Sequence, residues 1–102
     1  MKKKSYYFTL TGCRHHYGTK FLKPKMTVKL RKDPKNEYDH EAIRVELDGL
    51  GLIGYVANSH WTVCEDSLSA GRLYDKIGKK AKAKVVHVLP PYGALCEIKV
   101  EK

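Results

Sequence analysis

The sequence has no Cys-x-x-Cys pair, no long apolar run and no glycine-rich nucleotide loop, and each absence narrows what the chain can do. Three cysteines in 102 residues cannot all pair within one chain, and reduced thiols in a cytoplasmic protein are the simpler reading. No apolar stretch approaches the roughly 20 residues that a membrane span needs. Met1-Lys2-Lys3-Lys4 is like the start of a secretory signal, but Ser5-Tyr6-Tyr7-Phe8-Thr9 follows where an aliphatic segment should stand, so secretion is not expected. Without a P-loop there is no ATP site, and a helicase or nuclease acting with this chain would be on another chain. His60 and Cys64 are four apart on an expected helix, yet zinc normally takes four ligands in paired spacings. His15, His16, Asp39 and His40 fall short of the several carboxylates that metal nucleases gather, and no Ser-His-acid triad is recognisable. No catalytic residue, metal or cofactor is expected.

What is present in excess is positive charge. The formal net charge is +9, and it is unevenly spread. Residues 1–35 carry eleven Lys or Arg against one acid, residues 36–75 two against eight, and residues 76–102 seven against two. Two basic ends flank an acidic middle. If the ends meet in the fold they form one positive face, which attracts phosphate backbones by counterion release. The plainer reading is a solvated lysine surface.

The chain reads as one small domain of short strands. Ser5–Gly12 is rich in Tyr, Phe and Thr, and Gly12–Gly18 is a polar loop between glycines. Met26–Arg31 alternates strictly, so one face is core and the other basic. Asp33-Pro34-Lys35-Asn36 is a turn cluster. Ala42–Leu47 is a third strand, Asp48-Gly49 begins a hairpin turn, and Leu52–Val56 returns. Asn58 or Ser59 starts a helix that runs to about Ala70 and ends at Gly71. Residues 72–80 give no clear signal. Lys80–Leu89 alternates and then turns apolar, Pro90-Pro91-Tyr92-Gly93 is a turn, and Ala94–Val100 closes the chain slightly out of step. Residues 1–4 are expected to be a disordered basic terminus and residues 5–102 one domain. About six strands and one or two short helices point to a mostly β fold, a small β-barrel, whose closure removes exposed edges.

Three ordered pieces resemble the HIRAN domain family. Gly12-Cys13-Arg14-His15-His16-Tyr17-Gly18 is similar to its glycine, hydrophobic, arginine, aromatic, aromatic loop. Lys32-Asp33-Pro34-Lys35-Asn36-Glu37-Tyr38-Asp39-His40-Glu41-Ala42-Ile43-Arg44-Val45 is similar to its central signature, in order and without a gap. Ile53-Gly54-Tyr55-Val56 is similar to the strand that follows. The family occurs as the N-terminal module of helicase-like repair remodellers, including helicase-like transcription factor, and as short stand-alone proteins of bacteria and phages. The resemblance implies an OB-like or SH3-like barrel that binds single-stranded DNA, with preference for a 3′-hydroxyl end, in repair or replication-fork processing. A second function of another class is a protein-interaction barrel that recruits a repair or replication partner.

The resemblance also assigns roles. Tyr38 offers a flat face for a terminal base, and Asp39 accepts a hydrogen bond from the terminal hydroxyl while repelling a 3′-phosphate. A capping Asp39 and a Tyr38 filling the barrel mouth is the structural alternative. Arg14 suits a phosphate. His15 stands where the family usually has an aromatic ring and stacks less well. Lys35 and Asn36 contact phosphate or base, or serve the turn alone. Tyr55 stacks on a second base at the pocket rim. Asn58 stands where a lysine occurs in the family and is read more readily as a helix cap.

Overall fold

The computed structural model describes residues 3–13, 16–37, 40–57, 69–90 and 92–101. Six strands and one short helix follow in the order β1 (Lys3–Thr11), β2 (Thr27–Lys32), β3 (Ile43–Leu47), β4 (Gly51–Val56), α1 (Ala70–Tyr74), β5 (Lys80–Leu89) and β6 (Gly93–Glu101). The strands form a closed antiparallel barrel in the order β1-β4-β3-β2-β5-β6. The small mostly β barrel expected from the turn spacing is therefore the observed architecture. β1 takes in Lys3 and Lys4 of the basic segment 1–4, because their backbone pairs with Glu101 and Val100 of β6.

Alternation decides the faces. Along β2, Val28 and Leu30 point inward while Thr27, Lys29 and Arg31 face water. Ile43 and Val45 of β3, Ala83 and Val85 of β5, and Cys96 and Ile98 of β6 complete the inner wall with Phe8 and Leu10 of β1. Beyond Val85 the register shifts, so that Val85 pairs Cys96 but His87 pairs Leu95. Alternation already points Val86 outward, and the bulge puts His87 outside beside it, so the apolar run in the second half of β5 does not signal a strand buried on both faces.

The mouths are closed by different elements. Cys13 and Leu22 of the β1–β2 connection join the core, and Cys13 N donates to Tyr92 O at 3.2 Å in the β5–β6 turn. At the other mouth, Ala70 and Leu73 lie three apart on α1 and turn together into the core. Ser69 caps α1 by accepting from Arg72 N at 3.4 Å. Gly71 lies inside this helix and does not end it, as the sequence pattern suggested. A side chain there would meet the Glu41 carboxylate of the β2–β3 connection at 2.8 Å. The expected helix start at Asn58 or Ser59 lies outside the described residues.

Gly54 ties β4 against the end of β1. A methyl group on it would stand 2.5 Å from Thr11 O and 2.7 Å from Leu10 Cδ1. Gly54→Ala is therefore expected to lose about 1–3 kcal/mol of stability through overpacking, read as a lower midpoint in urea unfolding. The buried thiols make a second expectation. Burial raises Cys13 to about 11 and Cys96 to about 12, with the Cys13 thiol adding to the shift of Cys96. Both folded values lie above the unfolded value of 9.0. Stability is thus full below pH 9 and falls as pH rises toward those folded values. At pH 8 both thiols should resist Ellman's reagent until the protein is unfolded.

Candidate nucleic-acid interface

β4 lies between β1 and β3, and Tyr55 pairs with Thr11 on one side and with Arg44 on the other. Arg44 pairs in turn with Arg31, and Arg31 with Lys80. Directly opposed residues on neighbouring strands share a face, so Thr11, Tyr55, Arg44, Arg31 and Lys80 form one row around the outside. Thr11 is the last residue of β1 before the first loop. Arg44 stands one residue inside β3, just after the β2–β3 connection. The strands carrying both loops thus flank Tyr55, roughly 10 Å apart, or two strand spacings. A half-buried tyrosine with basic neighbours offers a ring face beside charge, the combination that single-stranded nucleic acid uses.

The sequence's two basic ends do meet. β2 pairs with β5, placing Lys29 opposite Lys82 and Arg31 opposite Lys80. Like charges directly opposed repel, and the acidic middle answers on one side only. Glu46 of β3 accepts from Arg31 Nη2 at 2.7 and 2.6 Å and from Arg44 Nε at 3.0 Å. Asp48 in the hairpin turn pairs with Lys29 Nζ at 2.7 Å. Partial burial pushes the Glu46 carboxyl upward, but the hydrogen bonds and charge of Arg31, then of Arg44, outweigh it and hold the group below the usual carboxylate value. The hydrogen bond and charge of Lys29 hold Asp48 low. Among the described residues no carboxylate forms an ion pair with Lys80, Lys82 or Lys84. On β5, Lys82 acts on Asp48 through its charge and Lys84 stands across from Glu97, so positive charge there is in excess without a close ion pair.

The residues singled out in the sequence divide accordingly. Tyr55 is in the row. Lys35 is exposed in the turn after Asp33. Asn36 is bound into that same turn. Its backbone N–H donates to Asp33 O at 3.1 Å and its Nδ2 to Asp33 Oδ2 at 3.3 Å, so turn chemistry engages the donors that a phosphate would have used. Arg14, His15, Tyr38, Asp39 and Asn58 lie outside the described residues, as do His60 and Cys64. Lys29 and Arg31, on the basic face expected of Met26–Arg31, are held by Asp48 and Glu46. Sequence reasoning passed over Arg44 and the β5 lysines. The signal for the lysines was there, in the alternation Lys80-Ala81-Lys82-Ala83-Lys84. For Arg44 the alternation of Ile43, Val45 and Leu47 gave the outward face, but one strand's alternation does not say which residue stands opposite.

Among the described residues no group of three or more His, Cys, Asp or Glu side chains is placed to hold a metal ion. Nor is any described helix long and apolar enough to cross a membrane. The sequence model of the HIRAN domain family matches residues 3–86. No curated protein and no solved structure matches the chain.

Replacing Glu46 by Gln leaves Arg31 and Arg44 side by side without their carboxylate. The folded pKa of Glu46 lies below its unfolded value near 4.5, so its contribution is present above that value and is lost as pH falls through the folded one. Glu46→Gln should cost about 1 kcal/mol or less at pH 7 and nothing measurable once the wild-type Glu46 carboxyl is protonated in the folded and the unfolded state alike. Urea unfolding of both proteins at neutral and strongly acidic pH checks this.

Proposed function

The chain belongs to the HIRAN domain family, a family of DNA-binding domains, and on that premise we propose that it binds single-stranded DNA, preferentially at a 3′-hydroxyl end, without acting on it as an enzyme. The placement of Tyr55 supports this most directly, because the strands leading into both loops of the family pattern flank its ring. Tyr55 stacks on a base near the end. Arg14 and Lys35 hold phosphate, and Tyr38 and His15 supply further stacking surface. Asp39 is the discriminating group. A carboxylate among cations weakens general phosphate binding, so its use lies in accepting a hydrogen bond from a terminal hydroxyl and in repelling a terminal phosphate. Asn36, engaged with Asp33, holds the shape of the turn.

The setting we propose is repair or replication-fork processing in the cytoplasm, with any motor or nuclease supplied by another chain. The free, buried Cys13 and Cys96 support a reducing compartment.

Fluorescence anisotropy with one short strand in three forms, 3′-hydroxyl, 3′-phosphate and closed circle, tests the reading. The 3′-hydroxyl form should bind tightest. Asp39→Ala should erase the preference over the 3′-phosphate form, and Tyr55→Ala should weaken binding by about 1–3 kcal/mol. Equal binding of all three forms by the wild type would overturn end recognition and leave general DNA binding. Affinity indifferent to salt would point instead to the protein-recruitment barrel.

A further inference from the structure

The ladder between β5 and β6 runs from Leu89↔Gly93 only as far as Lys84↔Glu97. Below that point β5 pairs with β2 from Ala83 to Lys80, and β6 pairs with β1 from Ile98 to Glu101. The two strands therefore diverge, and a cleft of about 710 Å³ opens between them. Its walls carry Lys76, Lys82, Lys84 and Lys99 against a single carboxylate, Glu97, which also accepts from Tyr7 Oη at 3.4 Å. Its floor includes the apolar Ile98 and Val100.

We infer that this cleft receives the sugar-phosphate backbone of a single DNA strand leading away from the end site. The inference rests on the DNA-binding reading above and extends it to a second contact surface. Three observations carry it. First, Lys82 stands opposite Lys29, an arrangement that works against folding, and Asp48, whose carboxyl the hydrogen bond and charge of Lys29 and the charge of Lys82 hold low, makes its close contact with Lys29. A polyanion relieves that repulsion. Second, Lys82 and Lys84 lie on one face about 6.7 Å apart, close to the separation of successive phosphates on an extended strand. Third, the outer row continues from Tyr55 through Arg44 and Arg31 to Lys80. Lys82, two residues further along β5, opens into the cleft, so a row whose two arginines share the single carboxylate of Glu46, and so keep a net positive charge, joins the two surfaces. An ammonium group on a flexible stem contacts phosphate as a point charge without reading a base. The cleft therefore adds affinity and length dependence, not sequence preference.

The test compares wild type with the triple variant Lys82→Gln, Lys84→Gln, Lys99→Gln on two DNAs sharing one 3′-hydroxyl terminus. One is short enough to fill only the end site, and the other is several times longer. The variant should bind the long strand about tenfold or more weakly, and its salt slope should fall by about 2. Binding of the short strand, and its preference over the 3′-phosphate form, should not change. A triple Lys→Arg variant should retain long-strand binding, and matching thermal midpoints show that folding is intact. Unchanged affinity and slope on the long strand would overturn the cleft, whatever the end site does, and would leave it as a surface for a protein partner. A wild type without end preference whose long-strand binding still depends on these lysines would overturn the end site and uphold the cleft. Amide shift mapping of the wild type gives an independent reading. Perturbations at residues 82–84 and 97–99 on adding the long strand support the inference, and their absence there overturns it.

Discussion

The pairing of the first strand with the last is the constraint on which the rest of the molecule depends. β1 pairs β6 over eight residue positions, from Lys3↔Glu101 to Leu10↔Ala94. Its ladder with β4 is only two residue pairs long. Closure lets one strand serve two neighbours and spares the barrel most of the exposed edges that an open sheet would present. It also requires β2 to lie against β5. A chain whose two ends are basic then has no choice but to bring those ends onto one wall. The positive face is thus a by-product of the topology as much as of the composition.

That wall carries an electrostatic conflict, which the fold resolves only in part. Arg31 and Lys29 on β2 face Lys80 and Lys82 on β5. Glu46 and Asp48, supplied by β3 and its turn, satisfy the β2 side together with Arg44. Lys32 and Lys76 find tyrosine rings instead, those of Tyr74 at 4.3 Å and Tyr6 at 5.0 Å, a favourable use of a cation beside an aromatic face. The β5 lysines receive neither a close ion pair nor a ring: Lys82 acts on Asp48 through its charge alone, and Lys84 stands across from Glu97. The acidic middle of the sequence therefore does not oppose anion binding everywhere. It neutralises one strip of the wall and leaves the next one charged.

The short ladder between β1 and β4 has its own consequence. Beyond Thr11, β4 continues without β1, and the first loop passes over that region, where Tyr17 Oη donates to Leu50 O at 3.3 Å. The same loop is anchored in the core by Cys13, Thr19 and Leu22. The second loop is fixed where Asp33 N donates to Ala42 O at 2.9 Å and Ile43 enters the core. Both loops thus leave from rigid ends that flank Tyr55, which is how a small scaffold can hold recognition residues in loops.

The sequence by itself determined the strands, their inward faces, the turns around Asp33-Pro34 and Asp48-Gly49, and a family pattern specific enough to name the kind of ligand. These are local properties: a period of two shows which residues share a face, and turn residues act through their own backbone. Tertiary structure alone decided which residues became neighbours. Ser69 caps the described helix, and Gly71 sits within it because Ala70 and Leu73 find the core. A one-residue bulge at Val86 re-aims the second half of β5, which no alternation rule anticipates. The partnership of Glu46 with both arginines and the divergence of β5 from β6 depend on register around a closed barrel. That register is set by closure and bulges acting across the whole sheet, and no single strand encodes it.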